Sequence, residues 1–134
     1  MSKTEKRTTG DRGEGLVVDL LVSSGMVIIE RNHLRRWGEI DVISKNIKDN
    51  VTHFVEVKSV VRDFNKTGDF SNEEYSPVDN MTHGKKKRLS RVIETYVMEN
   101  KLENSDWQID VALVYLDSRS DSSKIEMIED VDLS

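Results

Sequence analysis

The chain has no cysteine among its 134 residues. Thiolate zinc sites and cysteine nucleophiles are therefore excluded, and the composition fits a reducing compartment. No apolar stretch approaches the ~18 residues that a membrane-crossing helix needs. The start, MSKTEKRTTGDRGEG, is polar and has no signal-peptide character. Internal repeats and low-complexity segments are absent. Histidine is scarce: His33, His53 and His83 stand 20 and 30 residues apart. They lack ligand spacing and are expected at the surface or in turns. These absences point to a cytoplasmic domain without a membrane partner, large enough to fold without covalent staples.

Charge is abundant and uneven. The net charge is −5, which on its own argues weakly against nucleic acid. Residues 1–101 carry 18 Lys and Arg against 16 Asp and Glu, a net of +2, whereas residues 102–134 carry 2 against 9, a net of −7. The acidic excess therefore belongs to the C-terminal part, and the body is mildly basic with local clusters.

Periodicity gives the order α-β-β-β-α-β with an optional fifth strand. Residues 1–9 are expected to be disordered. Leu16, Val17, Leu20 and Leu21 recur at helical spacing over 10–24, and Gly25 is a natural stop. Strands are expected at 26–30, 39–44 and 52–59, with 31–37 as a basic connection. Residues 61–83 form a long loop, functional or mobile, whose Phe70 and Tyr75 could stack on a base. A helix over 85–100 and strands at 108–116 and 124–128 follow, and 129–134 are an acidic tail. The expectation is one mixed α/β domain, residues 10–128, with a central sheet flanked by helices.

Two strands carry unusual charge. In GEIDVIS, Asp41 interrupts an apolar run. In FVEVKSV, Glu56 and Lys58 share a face, because side chains alternate along a strand. With the hairpin turning near Ile47, Asp41 lies opposite about His53 and one step from Glu56. Two carboxylates without a local histidine cluster suit a hard cation such as Mg²⁺. A neighbouring lysine can orient a water or offset charge on a phosphate, which is what phosphodiester hydrolysis needs. The same spacing also occurs on ordinary solvated strand faces.

Larger blocks add to this. GDRGEGLVVDLLVSSGMVIIERN, RRWGEIDVI, FVEVKS, KKKRLSRVIETYV and QIDVALV together resemble the YraN-type family of small proteins assigned as endonucleases. That family is placed with the Holliday-junction-resolvase-like branch of the PD-(D/E)XK nucleases. The resemblance spans about Gly10 to Leu116. It implies a restriction-endonuclease-like αβββαβ core with a mixed sheet of four to five strands. It implies that Asp41, Glu56 and Glu14 hold Mg²⁺ or Mn²⁺, with the backbone carbonyl of Val57 completing the site and Lys58 assisting. Glu14 also reads as a plain helix-start carboxylate. The resemblance gives Glu39 no clear role and makes Asp110 a structural hydrogen-bonding acid. Gly15 stands where the family carries a second acid, and Gln108 where it carries an arginine.

Two basic clusters complete the reading. Arg31, Arg35 and Arg36 flank the second strand, and Lys85, Lys86 and Arg88 crowd the start of the second helix. Both are expected to meet nucleic-acid phosphates, DNA ahead of RNA, and no base-reading motif accompanies them. They read equally as solvated faces. Resolvase-like relatives act as two-fold dimers, so a homodimer is expected by analogy. Two other readings stay open: a nucleic-acid-binding module without turnover, and an interaction subunit docking through its acidic C-terminus.

Overall fold

A computed structural model describes residues 2–67 and 76–134. Phe70 and Tyr75 lie outside the described residues. The elements are α1 (Lys3–Ser23), β1 (Met26–Arg35), β2 (Gly38–Asn46), β3 (Thr52–Arg62), α2 (Phe64–Thr67), α3 (His83–Glu99), β4 (Trp107–Asp117) and β5 (Ser123–Ile128). They form a five-stranded mixed sheet in the order β1-β2-β3-β4-β5. β3 and β4 run parallel, joined through α3, and the other pairs are antiparallel. Among the described residues no helix is long and apolar enough to cross a membrane.

The sheet is covered on both faces. Val17 and Leu21 of α1 pack with Val42, Val55, Ala112 and Val114. On the other face Leu89, Val92, Ile93, Tyr96 and Val97 of α3 pack with Ile40, Ile43 and Phe54. Val55 and Phe54 are consecutive, so strand alternation sends one to each layer. Phe54 is held edge-on between Tyr96 and Trp107, with ring centroids 5.5 and 5.7 Å away.

Several expectations need correction. Helix α1 begins at Lys3, so residues 3–9, expected to be disordered, are its first turns. Ser2 caps them: its side chain accepts from the Glu5 backbone N–H at 3.1 Å, and Glu5 returns the bond to Ser2 N. β1 runs through the stretch expected to be a connection, pairing Arg31 with Val42 and Arg35 with Gly38. The β2–β3 register is three residues from the expected one, because Ser44, not Asp41, faces His53. The hairpin turns over 47–50, closed by Asn50 N–H on the Asn46 carbonyl at 2.8 Å with Asn50 left-handed at φ 63°.

His33 and His53 are buried in strands rather than exposed. His33 packs edge-on to Tyr96, centroids 5.1 Å apart. The C-terminal residues are docked rather than a free tail. Val131 N–H donates to the Ile109 carbonyl at 2.8 Å, and Leu133 is buried against the α3 layer. Burying one leucine contributes roughly 1.5–3 kcal/mol, enough to hold a short polar segment.

Candidate active site

The β2–β3 ladder runs from Lys45/Thr52 to Val42/Val55 and stops there. Beyond that point β2 diverges. Ile40 and Ile43 both enter the α3 layer while Val42 enters the α1 layer, so regular alternation breaks at Asp41. The Asp41 carboxylate fills the break: its Oδ2 accepts from the Val57 backbone N–H at 2.8 Å. An acid thus takes the place of a ladder carbonyl. Continuing the register one step would put Asp41 opposite Glu56, so the carboxylates meet where the strands part. The N–H and C=O of one strand residue point to the same side. The Val57 carbonyl therefore also faces the opening.

Glu56 is buried. Burial, followed by repulsion from Glu56, pushes the Asp41 carboxyl up to about 8, against the pull of the Val57 N–H. Glu14 adds to that repulsion. Glu14 is itself raised by burial, partly opposed by Arg31. Its Oε1 is buried without a hydrogen-bond partner, and the Arg31 guanidinium at 3.8 Å makes a charge contact too long for one.

Glycine at 13 lets helix α1 present Glu14 here. A Cβ at Gly13 would lie 1.8 Å from Ser59 Oγ and 3.1 Å from Ser59 Cβ, so a larger residue would have to turn the Ser59 hydroxyl away and push α1 and β3 slightly apart. The first turns of α1 continue alongside. Lys6, Thr9 and Gly10 line an open groove of about 470 Å³ with Glu56, Lys58 and Ser59.

Lys58 is exposed, on the same face of β3 as Glu56. It lines a cavity of about 190 Å³ with Glu56, Met81, Thr82 and Lys85. Sequence reasoning assigned Lys85 to phosphate, but Lys85 Nζ lies 2.8 Å from Glu56 Oε1. Burial pulls its ammonium down and Glu56 pulls it up, with a net rise. Thr82 caps α3 by accepting the Lys85 backbone N–H at 3.1 Å, which aims the helix start at the carboxylates. Only a long-range fold brings residues 56 and 85 together, so spacing gave no signal for this pair.

The other basic residues divide. Arg88 lines a cavity of about 150 Å³ with Glu39, Asp41, Glu56 and Lys85. Gly38 permits that packing, since a Cβ there would stand 3.0 Å from the Arg88 carbonyl. Lys86 is the next residue of α3 and partly buried. Arg31 guards Glu14. Arg36 is exposed in the β1–β2 turn. Arg35 is drawn away, paired with Glu99 at the far end of α3 at 2.6 Å. Trp37 carries Arg91 over its ring at 4.3 Å, which pins the turn to α3. Glu39 is exposed at the rim and raises Glu14.

Asp110 is apart from these acids. It is buried and satisfied: His53 Nδ1 lies 2.7 Å from Oδ2, while Gln108 Nε2 and the Asp130 N–H donate to Oδ1 at 2.9 and 3.0 Å. The expected hydrogen-bonding role is what the geometry gives. Gln108 does part of the work by supplying one donor.

The model of an uncharacterised protein family, UPF0102, matches residues 13–114. The chain belongs to the UPF0102 family. A UPF0102 protein of Helicobacter hepaticus is 32% identical over 127 residues, covering 95% of this chain and 96% of the relative. A UPF0102 protein of Clostridioides difficile is 36% identical over 117 residues, covering 87% and 90%. The family match opens at Gly13, the residue of the α1–β3 approach, and takes in Glu14, Asp41, Glu56, Lys58, Lys85 and Asp110. It ends at Val114, before β5, which begins at Ser123, and before the docked segment of Asp130, Val131 and Leu133.

The groups gathered around the strand break in this chain, Asp41, Glu56, the Val57 carbonyl and nearby Glu14, offer only oxygen atoms. Such a set suits Mg²⁺ or Mn²⁺ rather than a soft metal. Two features fit a divalent cation. The Glu14 Oε1 is buried without a donor, and the Asp41–Glu56 pair is held together by Asp41 keeping a proton whose place a cation could take.

Proposed function

We propose that this UPF0102 protein is a divalent-metal-dependent nuclease that hydrolyses phosphodiester bonds, DNA ahead of RNA. The observation that carries the reading is the meeting of Asp41 and Glu56 where β2 leaves β3; Glu14 of α1 adds its charge nearby but does not close with both to within 4.8 Å. Mg²⁺ or Mn²⁺, when bound, would polarise the phosphate and make a bound water more acidic. Asp41, Glu56 and Glu14 would hold that ion, with the Val57 carbonyl facing it. Lys58 stands beside Glu56, placed to orient the attacking water or to balance charge on the phosphate. Arg88 and Arg31 supply positive charge around the acids and would draw the phosphate backbone without reading sequence, whereas Lys86 acts on Asp132 of the C-terminal segment instead.

DNA as substrate and the resolvase-like branch rest on family resemblance, and the cytoplasmic location on the composition of the chain. A two-fold dimer would set two such sites on a branched substrate. The test is a cleavage panel of junction, flap, single-stranded, duplex and RNA substrates with Mg²⁺ and Mn²⁺, run beside Glu56→Ala. Metal-dependent cleavage lost in the variant supports the reading. Salt-sensitive binding with no cleavage in either protein would make the chain a binding module instead. For the interaction-subunit reading, the C-terminal segment is held by Asp130, Val131 and Leu133 with Glu129, Asp130 and Asp132 exposed, and a chain that shows neither binding nor cleavage in the panel would favour it.

A further inference from the structure

His53, Asp110 and Glu129 converge although they come from β3, β4 and the residue after β5. One ligand atom from each lies within 4.8 Å of the others, and among the described residues no other trio of His, Asp and Glu meets that condition. His53 and Asp110 are buried and Glu129 is exposed. The register explains the meeting. The β4–β5 ladder ends with Val111 opposite Ile128, one step short of Asp110 and Glu129. An open cavity of about 420 Å³ adjoins the cluster, with Ser24 and Asn46 also on its wall.

We propose that His53, Asp110 and Glu129 form a second cation site, selective for a borderline transition ion such as Zn²⁺, which anchors the C-terminal segment to the sheet. A histidine nitrogen beside two carboxylates favours Zn²⁺ over Mg²⁺. This site is independent of the nuclease reading and faces the α1 side of the sheet. Three observations support it. First, Asp110 is preorganised. Gln108 and the Asp130 N–H hold Oδ1, which fixes the carboxylate plane and leaves Oδ2 toward His53. Donors of that kind orient ligands in metal sites.

Second, the His53 Nδ1 to Asp110 Oδ2 contact of 2.7 Å is closed by a shared proton. Two ligands of a tetrahedral ion with bonds near 2.0–2.1 Å stand about 3.3 Å apart. Replacing the proton by a cation would open the pair by roughly half an ångström, with the neutral imidazole carrying its one proton on Nε2 while Nδ1 ligates. Third, Ser44 is the cross-strand partner of His53, fully buried, and its hydroxyl has no partner. Directly opposed residues share a face. A buried polar group without a hydrogen-bond partner is thus held beside His53. Ligation of Glu129 would fix the start of the segment that continues into the Asp130 and Val131 hydrogen bonds and buried Leu133.

The experiment titrates ZnCl₂ into the full chain while following histidine ring ¹⁵N resonances and thermal unfolding. Glu129→Gln is the informative variant, because an exposed side chain can lose its charge without disturbing the core. The expected result is that His53 shifts, His83 does not, and unfolding moves to higher temperature. In Glu129→Gln, Zn²⁺ binding should weaken by at least ~10-fold. The His53 response should persist in Glu56→Ala. A wild-type His53 indifferent to Zn²⁺, unchanged affinity in Glu129→Gln, or a response that vanishes in Glu56→Ala would each overturn the proposal.

Discussion

Replacing Asp41 by asparagine should make the metal-free protein more stable, and more so as pH rises. The Asp41 carboxyl stands at about 8 against an ordinary value of 3.8, through burial first and Glu56 second. An acid raised in this way keeps its proton in the fold where the unfolded chain has lost it. Its contribution is full below about 3.8 and drains away as pH climbs through about 8. At 1.36 kcal/mol for each tenfold change in proton affinity, the ceiling is roughly 5–6 kcal/mol. Part of that reflects the charge of Glu56, so a gain on the order of 2–4 kcal/mol at pH 8 is expected.

Asparagine keeps an acceptor for the Val57 N–H and carries no charge toward Glu56. Urea unfolding in EDTA at pH 5 and pH 8 reads the effect. Wild type should lose stability between the two, and Asp41→Asn should lose much less. Mg²⁺ should restore wild type at pH 8 and leave the variant nearly unchanged. Equal pH slopes for the two proteins would refute the buried, mutually repelling pair.

Further expectations follow from the same geometry. Gly13→Ala forces α1 off Ser59 and should cost about 1–3 kcal/mol, read by urea unfolding, while pulling Glu14 from the other acids. Lys85→Ala removes the cation now paired with Glu56, so Mn²⁺ should bind more tightly by calorimetry; weaker binding would show Lys85 to be a support rather than a competitor. Lys58→Ala should lower cleavage by ~10²-fold with the fold intact by circular dichroism. Leu133→Ala should cost about 2–4 kcal/mol, read by urea unfolding, and an unchanged midpoint would mean that the C-terminal segment is not docked in solution.

The sequence carried the sheet, both covering helices and the acids at the core of the site. Asp41, Glu56 and Lys58 stood out because a charge inside an apolar strand is costly without a use. What stayed hidden needed information beyond a local window. The first turns of α1 have no apolar face, so periodicity missed a helix that the Ser2–Glu5 cap and the downstream docking support. The hairpin register depended on Asn50 taking a left-handed conformation, which spacing does not reveal. His33 alternates inward within a basic stretch that reads as loop. The pairs Lys85–Glu56 and His53–Asp110 join residues far apart in the chain, brought together by the α3 crossover and the β3–β4 ladder. Leu133 is one apolar residue in an acidic tail, too weak a signal alone.

Anomalous scattering from crystals soaked in Mn²⁺ tests the central claim most directly. A manganese peak within bonding distance of Asp41 and Glu56, bordered by Glu14 and the Val57 carbonyl, is the predicted result. Crystals in which manganese binds elsewhere, or in which Lys85 stays on Glu56 with no ion beside Asp41 at high Mn²⁺, would contradict it.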